Sequence, residues 1–252
     1  MKFYKALDSI KLKKYSEVDK KQFALSFFSK SGFKSSKLFD KELKKKVSNF
    51  FADEKRSSLF LSKELTGLKG DFLVLRDFNK NKSEYKKYAW MKGLFANLDK
   101  YAVENAVIYA DTSHLSKDDN FLFDLAKTAE KASYRYTDTN PNTKKELILK
   151  NVSLAVESAS AAQKRVVELG YNVGSGANTA RNLGDRPANH ATPAYIAKAV
   201  KGLAKDIGGF SVEILEEKDM KKLGMGCLLS VSRGSIEPAK LVTMQYKGGK
   251  KG

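Results

Sequence analysis

Few side chains in this sequence are of types that do chemistry, and they are scattered. Its two histidines, His114 and His190, have no cysteine or acid at metal-ligand spacing. They read as a loop polar residue and as a turn residue ahead of a helix cap. The acid pairs Asp118-Asp119 and Glu216-Glu217 could in principle hold a cation or move a proton. Charge at a helix N-terminus, or a solvated loop, explains both. The single cysteine, Cys227, rules out an internal disulfide and suits a reducing compartment; it reads as a small buried hydrophobe. Gly174-x-Gly176 resembles a fragment of a phosphate loop, but lacks the preceding strand, the third glycine and the downstream acid. No catalytic and no metal-binding residue is therefore assigned. Lys41, Lys44, Lys45 and Lys46 remain as a candidate DNA-binding cluster.

The charge balance gives that cluster its context. The chain carries 47 basic and 29 acidic residues, a net of +18, and its first 50 residues hold 14 lysines against 5 acids. A basic face concentrates polyanions such as nucleic acid or an anionic membrane surface. The excess is lysine rather than arginine, the better base reader, so a solvated lysine-rich surface is the plain alternative. At 42% hydrophobic and 11% aromatic residues the chain should fold as a globular protein of two domains. No apolar run approaches the roughly 18 residues needed to span a bilayer. Met1–Asp8 lacks the uninterrupted apolar core of a signal peptide, so a cytoplasmic protein without membrane attachment is expected.

The elements that must position these residues follow from periodicity. Phe23–Phe28, residues 71–76 and residues 106–110 read as strands. Residues 37–51 read as a helix with Leu43, Val47, Phe50 and Phe51 on one face and the four lysines mostly on the other. Residues 83–98 and 121–134 are further helices, the second with Phe121, Leu122, Leu125, Ala129 and Ala132 on one side. This order predicts an α/β sandwich with a mixed or parallel sheet. A polar, turn-rich stretch over 137–142 marks a boundary, and Leu147-Ile148-Leu149 reads as one more strand. A long helix is expected over 156–183. Its glycines Gly170, Gly174 and Gly176 imply either close packing or a break, since each interior glycine costs about 1 kcal/mol against alanine. Thr192-Pro193 is a helix entry, and Gly208-Gly209 ends that helix. Phe210, Val212 and Ile214 alternate as a strand, residues 218–223 form a short helix closed by Gly224, and residues 241–246 form another strand. Two strands and two or three helices leave an open edge and uncovered apolar surface.

Several spaced motifs in this second half resemble the leucyl (cytosol) aminopeptidase family, of the bacterial aminopeptidase A type. Ala180–Asn189 is similar to the family's junction motif, a basic residue and Leu followed by Asn-x-Pro-x-Asn. Residues 192–197 resemble the helix after it, and Met220–Gly226 the family's Leu-Gly-Met turn. Val231, Gly234, Ser235, Pro238, Leu241 and Tyr246 fit the pattern that follows. Ala132–Tyr136 resembles the family's Tyr-Arg-Phe at a helix end. The specific likeness covers about 125–247. Asp185 replaces the first asparagine of the junction motif and cannot donate as an amide does. Arg76-Asp77-Phe78 stands where the family often has Gly-Leu-Gly.

The resemblance implies an α/β fold class. A macro-domain-like N-terminal α/β sandwich over 1–145 is joined by a connecting strand and helix over 146–183 to the first strands and helices of a second, incomplete α/β domain over 184–252. It implies a family activity, release of N-terminal amino acids from peptides. Two divalent metals, Mn or Zn, would bind the free amine and polarise water and carbonyl in a full-length member. The family's Val-Gly-Lys-Gly and Phe-Asp-x-Gly-Gly metal motifs follow the strand that ends here at Tyr246. Gly249-Lys250-Lys251-Gly252 echoes the first but sits too close to Tyr246 and has no acids after it. These 252 residues are thus expected to have no cofactor of their own and to be inactive alone. The expected partners are copies of the chain in the family's hexamer, peptide substrates only for a full-length protein, and DNA as the alternative function of the basic N-terminal domain.

Overall fold

The computed structural model describes residues 5–18, 22–28, 41–52, 58–61, 72–76, 83–109, 118–139 and 148–249. They fall into two compact units. One comprises Lys5–Arg135 and Lys145–Asn178; the other comprises Met1–Tyr4, Tyr136–Lys144 and Thr179–Gly252.

The first unit is built on a six-stranded sheet with β1 (Ser9–Lys14), β2 (Phe23–Phe28), β3 (Ser58–Leu61), β4 (Phe72–Arg76), β5 (Asn105–Tyr109) and β6 (Asn151–Val156). Their spatial order is β1-β6-β5-β2-β4-β3. Every pairing is parallel except the antiparallel edge pair β3–β4. This is the mixed, mostly parallel sheet that strand–helix alternation predicts. Parallel strands need both faces covered, and the period-two alternation of β5 shows how. Ala106 and Ile108 point into one core and Val107 and Tyr109 into the other.

Helix α1 (Lys41–Ala52) covers the second face with Leu43, Val47, Phe50 and Phe51, the four residues that the helical period selects. Helices α2 (Glu84–Lys100), α3 (Asp119–Ala132) and the beginning of α4 (Ala161–Gly184) bring residues to the first core. Met91, Leu94, Phe95 and Leu98 of α2 and Phe121, Leu122, Leu125, Ala126 and Ala129 of α3 are buried there. Asp118 caps α3, its carboxylate accepting from the Phe121 N–H at 3.1 Å. The helix-terminal reading of the Asp118-Asp119 pair is therefore what the fold uses.

Two expectations are corrected. The strand near 147–149 lies further on, at Asn151–Val156; Leu149 is buried ahead of it, and Leu147 is outside the described residues. The long helix accordingly begins at Ala161 rather than at Val156, which is the last residue of β6. A short apolar run fits strand and helix periods equally, and here pairing with both β1 and β5 decides for strand. The edge strands β1 and β3 and the helix Gly226–Ser232 were not anticipated.

The glycines of α4 resolve to close packing. The helix is unbroken, and a Cβ at Gly170 would collide with the carbonyl oxygen of Phe123 in α3. At Gly174 it would lie 2.9 Å from the Glu130 Cβ and the Lys127 oxygen. Gly176 faces open space. The two helices thus meet backbone to backbone at both glycines, an approach that only glycine permits.

The same contact holds a buried carboxylate. Glu130 is fully buried on α3 and accepts from the backbone N–H groups of Ala6 at 2.6 Å and Leu7 at 2.9 Å. The Asn178 amide of α4 donates to its side chain at 3.2 Å and to its carbonyl at 2.8 Å. Nearby, the Tyr171 hydroxyl donates to the Leu7 carbonyl at 2.7 Å. Burial, with Glu130 and Asp8 adding to it, pushes the Tyr171 phenol up to about 12, so it stays a donor. Burial also pushes the Glu130 carboxyl up, and the bonds from Ala6, Leu7 and Asn178 and the charge of Lys5 offset only part of that.

At the α3–α4 crossing, Gly170→Ala is expected to lower stability by about 1–3 kcal/mol despite its better helix propensity. Gly176→Ala should be neutral or stabilising by up to about 1 kcal/mol. Urea unfolding of the pair checks this. For the buried carboxylate, Glu130→Ala should cost about 2–4 kcal/mol by orphaning two buried N–H groups. Because its folded pKa is raised, the native state binds the proton more tightly than the unfolded chain. Acidification from neutrality towards the ordinary glutamate range should then stabilise the wild type relative to Glu130→Gln, and that gain should vanish as pH rises again. Denaturant midpoints of the two proteins against pH measure it.

Candidate functional site

The second unit carries the motif-bearing residues. The end of α4 is closed by the Asp185 N–H donating to the Arg181 carbonyl at 2.7 Å. The chain then turns through Arg186–Ala191, where the N–H groups of His190 and Ala191 both donate to the Pro187 carbonyl, at 2.8 and 2.9 Å. Thr192 caps α5 (Pro193–Asp206), its hydroxyl accepting from the Tyr195 N–H at 3.2 Å, with proline at the first helical position. This is the expected entry. His190 is exposed on the turn before the cap. Ala197, Ala199, Val200 and Leu203 bury the apolar stripe of α5.

Gly209, at φ 74°, turns the chain into β7 (Phe210–Glu216). The short helix α6 (Glu217–Lys222) ends at Gly224, with φ 70°. Helix α7 (Gly226–Ser232) follows, and β8 (Lys240–Tyr246) pairs antiparallel with β7 over its whole length. Glu216 and Glu217 are structural here. Lys240 donates to both Glu216 carboxylate oxygens, at 2.7 and 2.6 Å, and Glu217 accepts from the Ala239 N–H at 2.9 Å. Cys227 is exposed, not buried as its residue type suggests. Helix α7 buries none of its residues in this unit.

One side-chain cluster at the junction was not visible in the sequence. Asp138 accepts from the Arg186 guanidinium and, at 3.5 Å, from the Asn182 amide. The Arg186 guanidinium also lies 4.8 Å over the ring of Tyr195. It therefore ties the end of α4, the junction turn and the first turn of α5 to the stretch before 140. Asp138 is 48 positions from Arg186, so no spacing rule could have paired them. The only signal was Arg186's place within the junction motif.

The lysine cluster sits on α1 of the first unit. Lys41 and Lys45 are exposed on the side away from the core, while Lys44 and Lys46 are half-buried on its flanks. Lys46 reaches Glu42 at 3.7 Å, an exposed pair of little energetic consequence. The second charged group of that unit is a bridge between helices. Asp124 of α3 accepts from Lys87 of α2 and from Lys127, both at 2.7 Å. Burial alone would raise its pKa, but the two lysines outweigh burial and hold the carboxyl below the usual range.

His114 lies outside the described residues, as do Asp77, Phe78, Lys250, Lys251 and Gly252. The Gly174-x-Gly176 stretch is mid-helix, so it forms no phosphate loop. Among the described residues no group of three or more His, Cys, Asp or Glu side chains could hold a metal ion. The donor set for a pair of divalent cations is thus not offered by these residues. Among them, too, no helix is long and apolar enough to cross a membrane.

Comparison with known proteins agrees with the motifs. Residues 178–252 match the model of the cytosol aminopeptidase family, catalytic domain. A probable cytosol aminopeptidase of Nitrosococcus oceani is 40% identical over 127 residues, 49% of this chain and 25% of that protein. One from Aromatoleum aromaticum is 31% identical over 207 residues, 79% of this chain and 41% of that protein. The chain thus spans well under half the length of these relatives. Among solved structures, a tomato leucine aminopeptidase mutant superposes with a TM-score of 0.75 at 18% identity, covering 97% of this chain and 52% of that one. The bottromycin maturation enzyme BotP, in complex with Mn, gives 0.64 at 17% identity over 90% of this chain and 45% of its own. The fold is therefore that of leucine aminopeptidase, and residues 178–252 carry sequence of the cytosol aminopeptidase family's catalytic domain.

Proposed function

We propose that these residues are the N-terminal α/β domain, the connecting strand and helix, and the first catalytic-domain elements of a cytoplasmic leucyl aminopeptidase. The divisions are 1–145, 146–183 and 184–252. The whole enzyme would release N-terminal amino acids from peptides as a metallopeptidase using two divalent ions, Mn or Zn, and would assemble as a homo-oligomer, the family's hexamer. The observation that carries this reading is the catalytic-domain match over 178–252, folded as α5, β7, α6, α7 and β8 in that order.

The 252 residues themselves are proposed to bind no catalytic metal and to be inactive alone. The described side chains do not converge as ligands, so no hydrolytic step is assigned to any of them. Incubation of the 252-residue chain with Leu-p-nitroanilide and added Mn or Zn should give no release of nitroaniline above background. Turnover that a chelator abolishes would contradict this.

A second reading is favoured by the outward lysines of α1. The domain would bind duplex DNA through Lys41, Lys44, Lys45 and Lys46. If so, affinity should fall linearly with log salt, and Lys41→Gln/Lys45→Gln should reduce the slope by about two counterions. A flat salt profile, or no binding at low salt, removes the reading.

A further inference from the structure

In the first unit, helix α4 is apolar on two faces, and only one of them is buried. Val167, Gly170, Tyr171, Gly174 and Asn178 are buried towards the core and α3. On the other side Ala162, Val166, Leu169, Val173 and Gly176 follow one another at intervals of four, three, four and three residues. That is heptad spacing, and it keeps the five on one stripe about 21 Å long. Leu169 is 56% exposed and Val173 45%. Ala162 is exposed as well, while Val166 and Gly176 are half-buried. A Cβ at Gly176 would meet nothing within 4 Å. Single apolar side chains on a surface are ordinary. An unbroken stripe in heptad register is the pattern of a helix that packs against another helix.

The flanks and the residue sizes decide which helix fits. Of the flanking Gln163, Arg165, Asn172 and Ala177, only Arg165 is charged, so the stripe offers little to an acidic partner or to nucleic acid. The stripe is instead complementary to itself when run antiparallel. A two-fold axis at the level of Tyr171 sets Leu169 against the partner's Val173. The same axis sets Val166 against the partner's Gly176, where the missing side chain leaves room for the larger one. Each contact then occurs twice, as a two-fold interface requires. Arg165 comes level with the partner's Ala177, so no like charges meet across the stripe although each copy carries a net +18.

We infer that the outer stripe of α4 is a contact surface for a second copy of this chain, the two helices packing antiparallel. This gives the proposed homo-oligomer one defined contact and rests on that part of the proposed function.

Sedimentation equilibrium of the 252-residue chain tests it. A single helix pair of this length is a small interface, so a monomer–dimer equilibrium with a dissociation constant of about 10–100 µM is expected. Leu169→Lys/Val173→Lys should weaken association about tenfold or more, since it places cations on an apolar contact. Gly176→Arg should do the same by filling the space that Val166 of the partner subunit occupies. Both changes lie on the exposed side of the helix, and circular dichroism should show the fold intact. Raising salt should leave association unchanged or strengthen it, because the contact is apolar and salt screens the repulsion between two basic copies. A dimer that both variants form as readily as wild type overturns this surface and leaves the homo-oligomer standing on another. Dissociation with rising salt also overturns it. A monomer at millimolar concentration overturns the surface and the self-association of these residues together.

Discussion

The first unit depends on one buried carboxylate and the helix contact around it. Among the described residues Glu130 has no salt-bridge partner, and its compensation is three hydrogen bonds from Ala6, Leu7 and Asn178. Those donors come from the chain entering β1, from α4, and from no element adjacent in sequence. Without the acceptor, the entry to β1 would bury two N–H groups with nowhere to go. The glycines opposite, Gly170 and Gly174, allow α4 close enough for the Asn178 bond to form. Charge, backbone and packing are thus fixed by the same crossing, and β1 is set into the sheet beside β6 as a consequence.

The second unit is held differently. Its core stripe lies on α5, with Met220 of α6 fully buried as well, while many of its large apolar side chains face outward. Ile236 is 99% exposed, Val231 85% and Tyr246 66%. A two-stranded ribbon with one long helix cannot cover both its faces. The Asp138–Arg186–Tyr195 cluster therefore matters more here than a polar cluster would in a full core, because it fixes the direction in which α5 leaves the junction turn. The catalytic-domain match over 178–252 fits this picture, and the side chains described there orient helices and strands.

Much of this was legible in the sequence where one physical rule acted alone. The buried face of α1 follows from Leu43, Val47, Phe50 and Phe51, and the start of α5 from Thr192 and Pro193. The family motifs from Ala180 to Tyr246 pointed to the same fold that the superpositions show. Legibility failed where two rules competed or where partners are distant. In β1, Lys11, Lys13 and Lys14 leave only Ile10 and Leu12 as an apolar signal, too short to separate from a loop. The strand at 151–156 was read a few residues early, at 147–149, and Val156 was given to the following helix, because a short apolar run has no period of its own. Cys227 was misplaced because burial by residue type presumes a core, and α7 has none around it. The Glu130 bonds span 123 and 124 positions, beyond any local pattern.

The described residues build a leucine aminopeptidase fold without a convergent cluster of acids that could hold cations, and the chain is proposed to retain no divalent ions. Metal stoichiometry tests it most directly. After equilibration with Mn or Zn and exhaustive dialysis, elemental analysis of the purified chain should find far less than one ion per chain. Two tightly retained divalent ions per chain would contradict the claim.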